Sequence, residues 1–414
     1  MTAQSTNQDS HARCNLIDGL RGFSLLGILT ANMLIFQYGV WGKDHIELYG
    51  ISAADRITLE LLHLLVEGSF MPIFTFLFGF GLAVMKDRLE DNGLPYRRVL
   101  MRRFLLLLGL GFLHACFLWE GDILIFYGMM GFFLLLFIGR KARTLLIWSV
   151  VLIGLLGLVG LVSDPSPVTS GDLGLDPEKL QSYVLETMRV YGSGTYGEIM
   201  HYRNNEDPMD SMGVEMVLII LLFTPFLTAP LFLLGMYAAR RGWFRDPEER
   251  RTFFRKGAVL VLPAGLLLKG LKYVLPGTVW SEAGSALGMY LLPLGYIFAF
   301  TLLYTTARKS SWLYRFEAVG RLSLTNYLLQ TVICTSLFYG YGLGWFGKLG
   351  VPAGIGLALG IYLVQLYAST LYLNIWRTGP VERLLRMGTY FSLSGRPAGP
   401  PPGSAGTTAT GQAG

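Results

Sequence analysis

Charge is what this chain is short of. Only 15% of its 414 residues are Asp, Glu, Lys or Arg, while 52% are hydrophobic, a balance that excludes an ordinary soluble enzyme. Cysteine is also scarce. Cys14, Cys116 and Cys334 are too few and too scattered for a disulfide framework or a zinc site, and the two that fall within apolar runs read as small buried hydrophobes. No P-loop, dinucleotide fingerprint or HExxH pattern occurs, so ATP-driven work and nicotinamide chemistry have no support. There is no repeat of solenoid period, and no cleavable signal peptide is expected, because the first apolar run is of spanning length and is entered through Asp18 and Arg21.

Long apolar runs are what the chain has. Each run of about 17 to 25 such residues can cross the ~30 Å hydrocarbon core as a helix, the one open-ended conformation that satisfies its own backbone there. The expectation is an all-α, polytopic integral membrane bundle of about ten spans, near 20–41, 59–85, 104–119, 122–139, 144–163, 212–238, 257–275, 284–307, 322–339 and 352–375. The basic residues supply an independent test, since Lys and Arg concentrate in short cytoplasmic loops. Alternate loops hold six of them in 86–103, three in 140–143, seven in 240–256 and four in 308–321, which puts both termini in the cytoplasm. The net charge of +6 is thereby a matter of topology, and no nucleic-acid partner is implied. Residues 1–393 read as one transmembrane domain, and the Gly/Pro/Ala/Ser/Thr stretch 394–414 as a disordered tail. The segment 164–211 carries nine acidic residues against three basic ones on the outer side, and reads either as a cap over an external cavity or as a solvated connector.

Between the third and fourth runs a short tract holds His114, Glu120, Asp122 and Tyr127. Lipid makes such groups expensive, roughly 2.5 to 3.5 kcal/mol for a charged side chain at a helix centre, so a cluster of them faces a protein interior or a watery cavity. His114 falls about 13 Å into its span, toward the outer leaflet. It suits a general base that Glu120 or Asp122 orients, provided a turn near Gly121 brings them together. The alternative is a histidine bonded to a neighbouring helix, with the carboxylates marking the wet outer loop.

Three stretches stand in order along the chain: Asp18 through Asn32 followed by Phe74–Gly81, then His114 through Asp122, then Gly320 through Gln330 with Gly379 through Arg386. Together they resemble the YeiB-like family of bacterial inner-membrane proteins, a family known as a domain of unknown function. That family is distantly similar to the transmembrane acyltransferases, among them heparan-alpha-glucosaminide N-acetyltransferase and the O-acyltransferases of bacterial surface polysaccharides. The resemblance implies a multi-pass inner-membrane protein, an acyl donor taken from the cytoplasm and an acceptor on the other face. One departure matters. Eleven residues after the first-span arginine the O-acyltransferases typically carry a catalytic histidine, and here that position is Asn32.

The remaining polar residues each carry two readings. Asp18 and Arg21, three apart, share a helix face and form either a salt bridge or, with Arg102 and Arg103, part of a basic collar for a phosphate-bearing donor such as an acyl coenzyme A. Asn326 and Gln330, four apart, either line a polar path or knit helices together, and Asn32 invites the same choice. Glu60, His63 and Glu67 mimic a metal site but read as an interfacial amphipathic turn leading into the second span, and no metal is expected. His45 sits in an outer loop suited to a cavity residue. Gly79 and Gly81, like Gly154, Gly157 and Gly160, read as sites of close helix packing, and Gly379 through Arg386 as a short helix whose Glu382 complements its own dipole.

Three functions follow from these residues. The first is an acyltransferase with His114, Asp122 and Glu120 as its chemistry, and Asp18, Arg21, Asn32, Arg102, Arg103, Tyr127, Asn326 and Gln330 binding donor or substrate. It needs no tightly bound cofactor, takes an acyl-CoA as donor, and serves a small-molecule, lipid or glycan acceptor. The second is a permease with a proton-relaying polar path. The third is a non-catalytic lipid-binding or regulatory protein.

Overall fold

The computed structural model describes residues 2–162, 176–206, 214–307 and 310–395, with the side chains of 2–14, 214–218, 220 and 221 outside that description. The side chains of His11, Arg13 and Cys14, both ends of the 164–211 insert, and nearly all of the 394–414 tail therefore lie outside the described residues. Described in chain order are α1 (Thr2–Tyr38), α2 (Ala53–Leu65), α3 (Phe70–Asp91), α4 (Tyr96–Phe117), α5 (Leu124–Leu134), α6 (Ala142–Val162), α7 (Pro177–Ser193) and α8 (Tyr196–Asn205). There follow α9 (Val214–Arg240), α10 (Arg251–Val274), α11 (Val279–Thr306), α12 (Ser311–Arg321), α13 (Ser323–Phe338), α14 (Val351–Ile375) and α15 (Pro380–Tyr390).

Eight of the described helical segments are long and apolar enough to cross a membrane. Their outward faces carry Phe112, Leu113, Val150, Leu155, Leu267, Val364 and Leu371, all exposed, which is what lipid contact requires of a chain with so little charge. The protein is a multi-pass integral membrane protein. Two of the ten expected spans are shorter than expected. The 122–139 segment forms only the 11-residue α5, about 16 Å long, and then continues as turns; α13 has 16 residues, about 24 Å. Both still run from one end of the bundle to the other. The chain after α5 reaches Ile138 and Arg140, whose carbonyls bond the Arg240 guanidinium at the basic end of α9, while α13 starts on Glu382 and finishes where Gly340 donates to Tyr191 O.

A second difference lies in the expected 59–85 span. It is broken at 66–69, where Gly68 has φ +63° and the buried Lys269 ammonium of α10 bonds Glu67 O at 2.7 Å and Ser69 Oγ at 3.2 Å. The amphipathic turn thus becomes a separate helix, α2, opened by a capping box between Ser52 and Asp55. His63 Nδ1 pairs with Glu67 rather than with Glu60, and among the described residues no His, Cys, Asp and Glu group has the arrangement of a metal site.

α1 is the axis of the bundle. One face (Leu16, Leu20 and their neighbours) joins an apolar cluster with residues of α3, α9, α10, α11 and α12, and another (Leu25, Leu29, Met33, Phe36) joins one with α13, α14 and the insert helices α7 and α8. Close crossings rest on missing side chains: a Cβ on Gly79 would meet Phe232 O at 2.0 Å, and one on Gly235 would meet Phe76 O at 2.0 Å, so α3 and α9 touch backbone to backbone. Gly160 packs on the α11 backbone at Ala283 in the same way and Gly157 on the Leu287 side chain, whereas Gly154 faces open space, and Gly81 makes room for the Arg21 guanidinium.

Candidate functional site

α4 ends three residues after His114, whose carbonyl accepts both Leu118 N and Trp119 N at 2.9 Å and so turns the chain sharply. The turn brings Asp122 back against α4 at Gly111, where an added Cβ would lie 2.6 Å from Asp122 Oδ1. There the Asp122 carboxylate does two things. Its Oδ2 lies 2.7 Å from His114 Nδ1, and its Oδ1 accepts Ile125 N at 2.8 Å in the first turn of α5. Both side chains are only 1% exposed.

With its Nδ1–H given to Asp122, the imidazole keeps a lone pair on Nε2, and Thr331 Oγ1 of α13 stands 3.0 Å away to donate to it. Tyr327, one turn before Thr331, places its ring 5.5 Å from the imidazole, and its hydroxyl accepts Ile123 N at 3.3 Å. Trp119 closes the other side, stacked on Phe36 of α1 at 4.2 Å and edge-on to His114 at 6.4 Å. A carboxylate, an imidazole and a hydroxyl thus form one buried line across three elements.

The insert helices sit over this line. Arg203 donates to Leu118 O at 3.0 Å and Cys116 O at 2.6 Å, and Tyr196 donates to Phe117 O at 2.7 Å, so α8 satisfies the last carbonyls of α4 and sets a cation at its negative end. The described part of the insert is therefore a cap rather than a loose connector. Beneath it Glu120 accepts Tyr191 OH at 3.1 Å through Oε1, and burial raises its carboxyl above the ordinary range, with the Arg203 charge among the influences pulling the other way. Trp119 Nε1, Glu120 Oε2, Arg203 Nε and Tyr339 OH are all sealed in here without a hydrogen-bond partner among the described residues. Buried polar groups normally find partners, so this nest has room in its bonding for a polar guest or water. His45 lies elsewhere on the outer face, in a cleft of about 310 Å³ shared with Leu180 and Gln181 of α7.

The other sequence candidates divide. Asp18 and Arg21 pair at 3.0 Å near the middle of α1, and Arg21 and Arg386 also bear on Arg103, which forms no hydrogen bond or ion pair with the described residues. Arg102 lies apart from that group, its guanidinium 4.3 Å above the Phe391 ring. Asn326 and Gln330 knit helices: Asn326 Nδ2 donates to Ser369 Oγ at 3.0 Å and Gln330 Nε2 to Gln365 Oε1 at 2.8 Å, which ties α13 to α14. Asn32 makes no hydrogen bond among the described residues and lies one turn inward of Phe36 on the same face of α1. Tyr127 is not part of the His114 cluster; it packs on Phe74 and Phe78 of α3, its hydroxyl 3.4 Å from Thr75 Oγ1. Glu382 stands in the first turn of its own helix, as expected, and also serves α13, taking Leu324 N at 2.8 Å and Thr325 N at 3.0 Å.

Sequence reasoning missed Thr331, Tyr327, Arg203 and Tyr191. Thr331 had one signal, its place immediately after Gln330 and four after Tyr327.

Comparison with known proteins finds relatives along almost the whole length. The uncharacterized protein YxaH of Bacillus subtilis (strain 168) is 34% identical over 400 residues, covering 92% of this chain and 96% of its own. YeiB of Escherichia coli (strain K12), also uncharacterized, is 29% identical over 93% of this chain and 97% of its own. An uncharacterized 39.9 kDa protein from the amylase 3' region of Bacillus acidopullulyticus is 26% identical over 91% and 94%. No solved structure matches. Residues 238–392 match the family model described as a protein of unknown function, DUF418, and with the full-length likeness to YxaH and YeiB, this chain belongs to that YeiB-like family of membrane proteins.

Proposed function

We propose that the chain is an acyltransferase of the bacterial cytoplasmic membrane. His114, fixed by Asp122, acts as the general base, and an acyl-CoA thioester supplies the acyl group from the inner side. The observation that carries the reading is the His114–Asp122 pair itself: 2.7 Å long, 1% exposed, and set in a chain that has very little charge to place inside a membrane. A carboxylate on one ring nitrogen fixes the tautomer and raises the basicity of the other, which is what taking a proton from an acceptor hydroxyl or amine demands. At the inner end, Arg21, Arg103 and Arg386, grouped with Asp18, suit the phosphates of coenzyme A. The likeness of the YeiB-like sequence stretches to transmembrane acyltransferases agrees with this chemistry, and the acceptor is a glycan, lipid or small molecule on the outer side.

The test is thiol release from acetyl-CoA by the purified full-length protein in lipid nanodiscs, with and without hydroxyl-bearing acceptors. His114→Ala is expected to lower the rate by about a hundredfold or more. Arg103→Ala should raise KM with kcat little changed, as the loss of uniform donor binding does. A protein that neither hydrolyses nor transfers from any acyl-CoA, and whose His114→Ala form keeps full cellular function, sinks the proposal. One observation favours a rival, a proton-coupled permease: Glu120 adds a second buried carboxyl next to the dyad, with one oxygen unpartnered. Solute uptake into proteoliposomes that follows a proton gradient, with no covalent change to the solute, would select that rival.

A further inference from the structure

Thr331 stands to His114 as a nucleophile stands to its base. Its Oγ1 is 3.0 Å from Nε2, the base is oriented from its far side by Asp122 at 2.7 Å, and all three groups are buried. Among the described residues the one other hydrogen bond of the Thr331 hydroxyl is a 3.5 Å contact to Tyr327 O in its own helix, long enough to leave its proton to the imidazole. Hydroxyl, imidazole and carboxylate within hydrogen-bond reach, in that order, are the general signature of an activated nucleophile. The three come from α4, from the turn after it and from α13, and 217 positions separate Thr331 from His114, so no local backbone geometry forces them together.

We infer that Thr331 carries the acyl group as a covalent ester between donor and acceptor, an inference that rests on the acyl-transfer reading above. In the first half-reaction His114 Nε2 takes the Thr331 proton while Oγ1 attacks the thioester carbonyl. The C–S bond then breaks, the imidazolium returns its proton to the departing thiolate, and O-acyl-Thr331 and free coenzyme A result. In the second half, His114 takes the proton of the acceptor hydroxyl, whose oxygen attacks the ester carbonyl. The bond to Oγ1 breaks, the proton passes to Oγ1, and the threonine is restored. Trp119 Nε1, a buried donor without an acceptor on the ring that meets His114 edge-on, is available to the oxyanion of both steps. Thr331 lies eight residues into α13, about 12 Å from its inner start, so an arm reaching in from the inner arginines meets it before the outer cap. Two half-reactions on one residue let donor and acceptor enter from opposite faces without ever meeting.

The experiment is intact-protein mass spectrometry of the full chain in nanodiscs after incubation with acetyl-CoA alone, and separately with hexadecanoyl-CoA alone, followed by peptide mapping. The expected result is one acyl group per chain on Thr331, removed when a hydroxyl acceptor is added. Thr331→Ser keeps the acylation, while Thr331→Val loses it and lowers thiol release by about a hundredfold or more. A wild-type protein that releases thiol and transfers the acyl group yet shows no acylated chain, or carries the acyl group on another residue, overturns the role of Thr331 and leaves the acyl-transfer reading standing. Thr331→Val transferring at the wild-type rate overturns it as well. Absence of any thiol release by the wild type with either donor overturns both. If Thr331→Val fails to accumulate, the wild-type peptide map and the Thr331→Ser protein decide alone.

Discussion

Asp122 binds His114 and starts α5 with the same carboxylate, Oδ2 at 2.7 Å from the imidazole Nδ1 and Oδ1 at 2.8 Å from Ile125 N. The two duties separate on substitution. Asp122→Asn keeps an oxygen for Ile125 N but turns an amide N–H toward Nδ1, so the imidazole must present its lone pair there and lose it at Nε2. The expected outcome is a loss of acyl transfer of about a hundredfold or more with stability nearly kept. Asp122→Ala removes both bonds and should lower stability by a further ~1 to 3 kcal/mol. Thermal melting in detergent beside thiol-release rates separates the two effects.

Gly111 is the place where α4 yields to that carboxylate. An alanine there sets its Cβ 2.6 Å from Asp122 Oδ1 and 2.6 Å from Ile125 N, closer than packed atoms sit, and the cost expected of such overpacking is about 1 to 3 kcal/mol. Gly109, half a turn away on the same helix, has nothing within 4 Å of the same added atom. Gly109→Ala should therefore be neutral or slightly stabilising, because alanine is the better helix former. Melting temperatures of the two variants falling the same way by the same amount would contradict this geometry.

Glu120 ties stability to pH. Burial raises its carboxyl above the ordinary value of 4.5 in the folded protein, although Arg203 opposes the shift. A group raised in this way contributes stability that is fully present below its unfolded value and is lost as pH rises through the folded one. Glu120→Gln removes the ionisation while keeping an oxygen for Tyr191 OH, so its melting temperature should gain on that of the native protein as pH is raised from about 4 to about 8. A difference that stays flat over that range, or grows in the opposite direction, would show that Glu120 is not held neutral.

The multi-pass helical architecture was legible in the sequence because each apolar run answers to one physical length, the thickness of the hydrocarbon core, and eight of the described helical segments meet it. The pairing of His114 with Asp122 was half legible, since the turn near Gly121 was readable while the distance was not. What sequence could not show was set by partners far along the chain. The break between α2 and α3 depends on Lys269, about two hundred residues away. Thr331 looked like a filler residue in an apolar helix until α13 was laid against α4. Arg203 sat in an acidic insert with nothing in its neighbourhood to announce that it would seal the end of α4.

Gln330 and Gln365 offer a last measurement. Their side chains bond at 2.8 Å between α13 and α14, and Gln365 Nε2 continues to Asn326 O at 3.1 Å, so each glutamine holds the other's partner group in place. If this is what fixes α13, and with it Thr331, beside His114, then Gln330→Leu strands the Gln365 carbonyl in an apolar interior and Gln365→Leu strands the Gln330 amide. Replacing both leaves neither of those two groups unpaired. A double-mutant cycle on melting free energy should therefore return a coupling of about 0.6 kcal/mol, reaching ~1.7 at most for hydrogen bonds between membrane helices. The single variants should also lower acyl transfer by more than their stability loss accounts for, because α13 shifts against α4, and the double variant should recover part of it. Strict additivity in stability would mean that the pair does not hold these helices together and that α13 is positioned by its apolar packing alone.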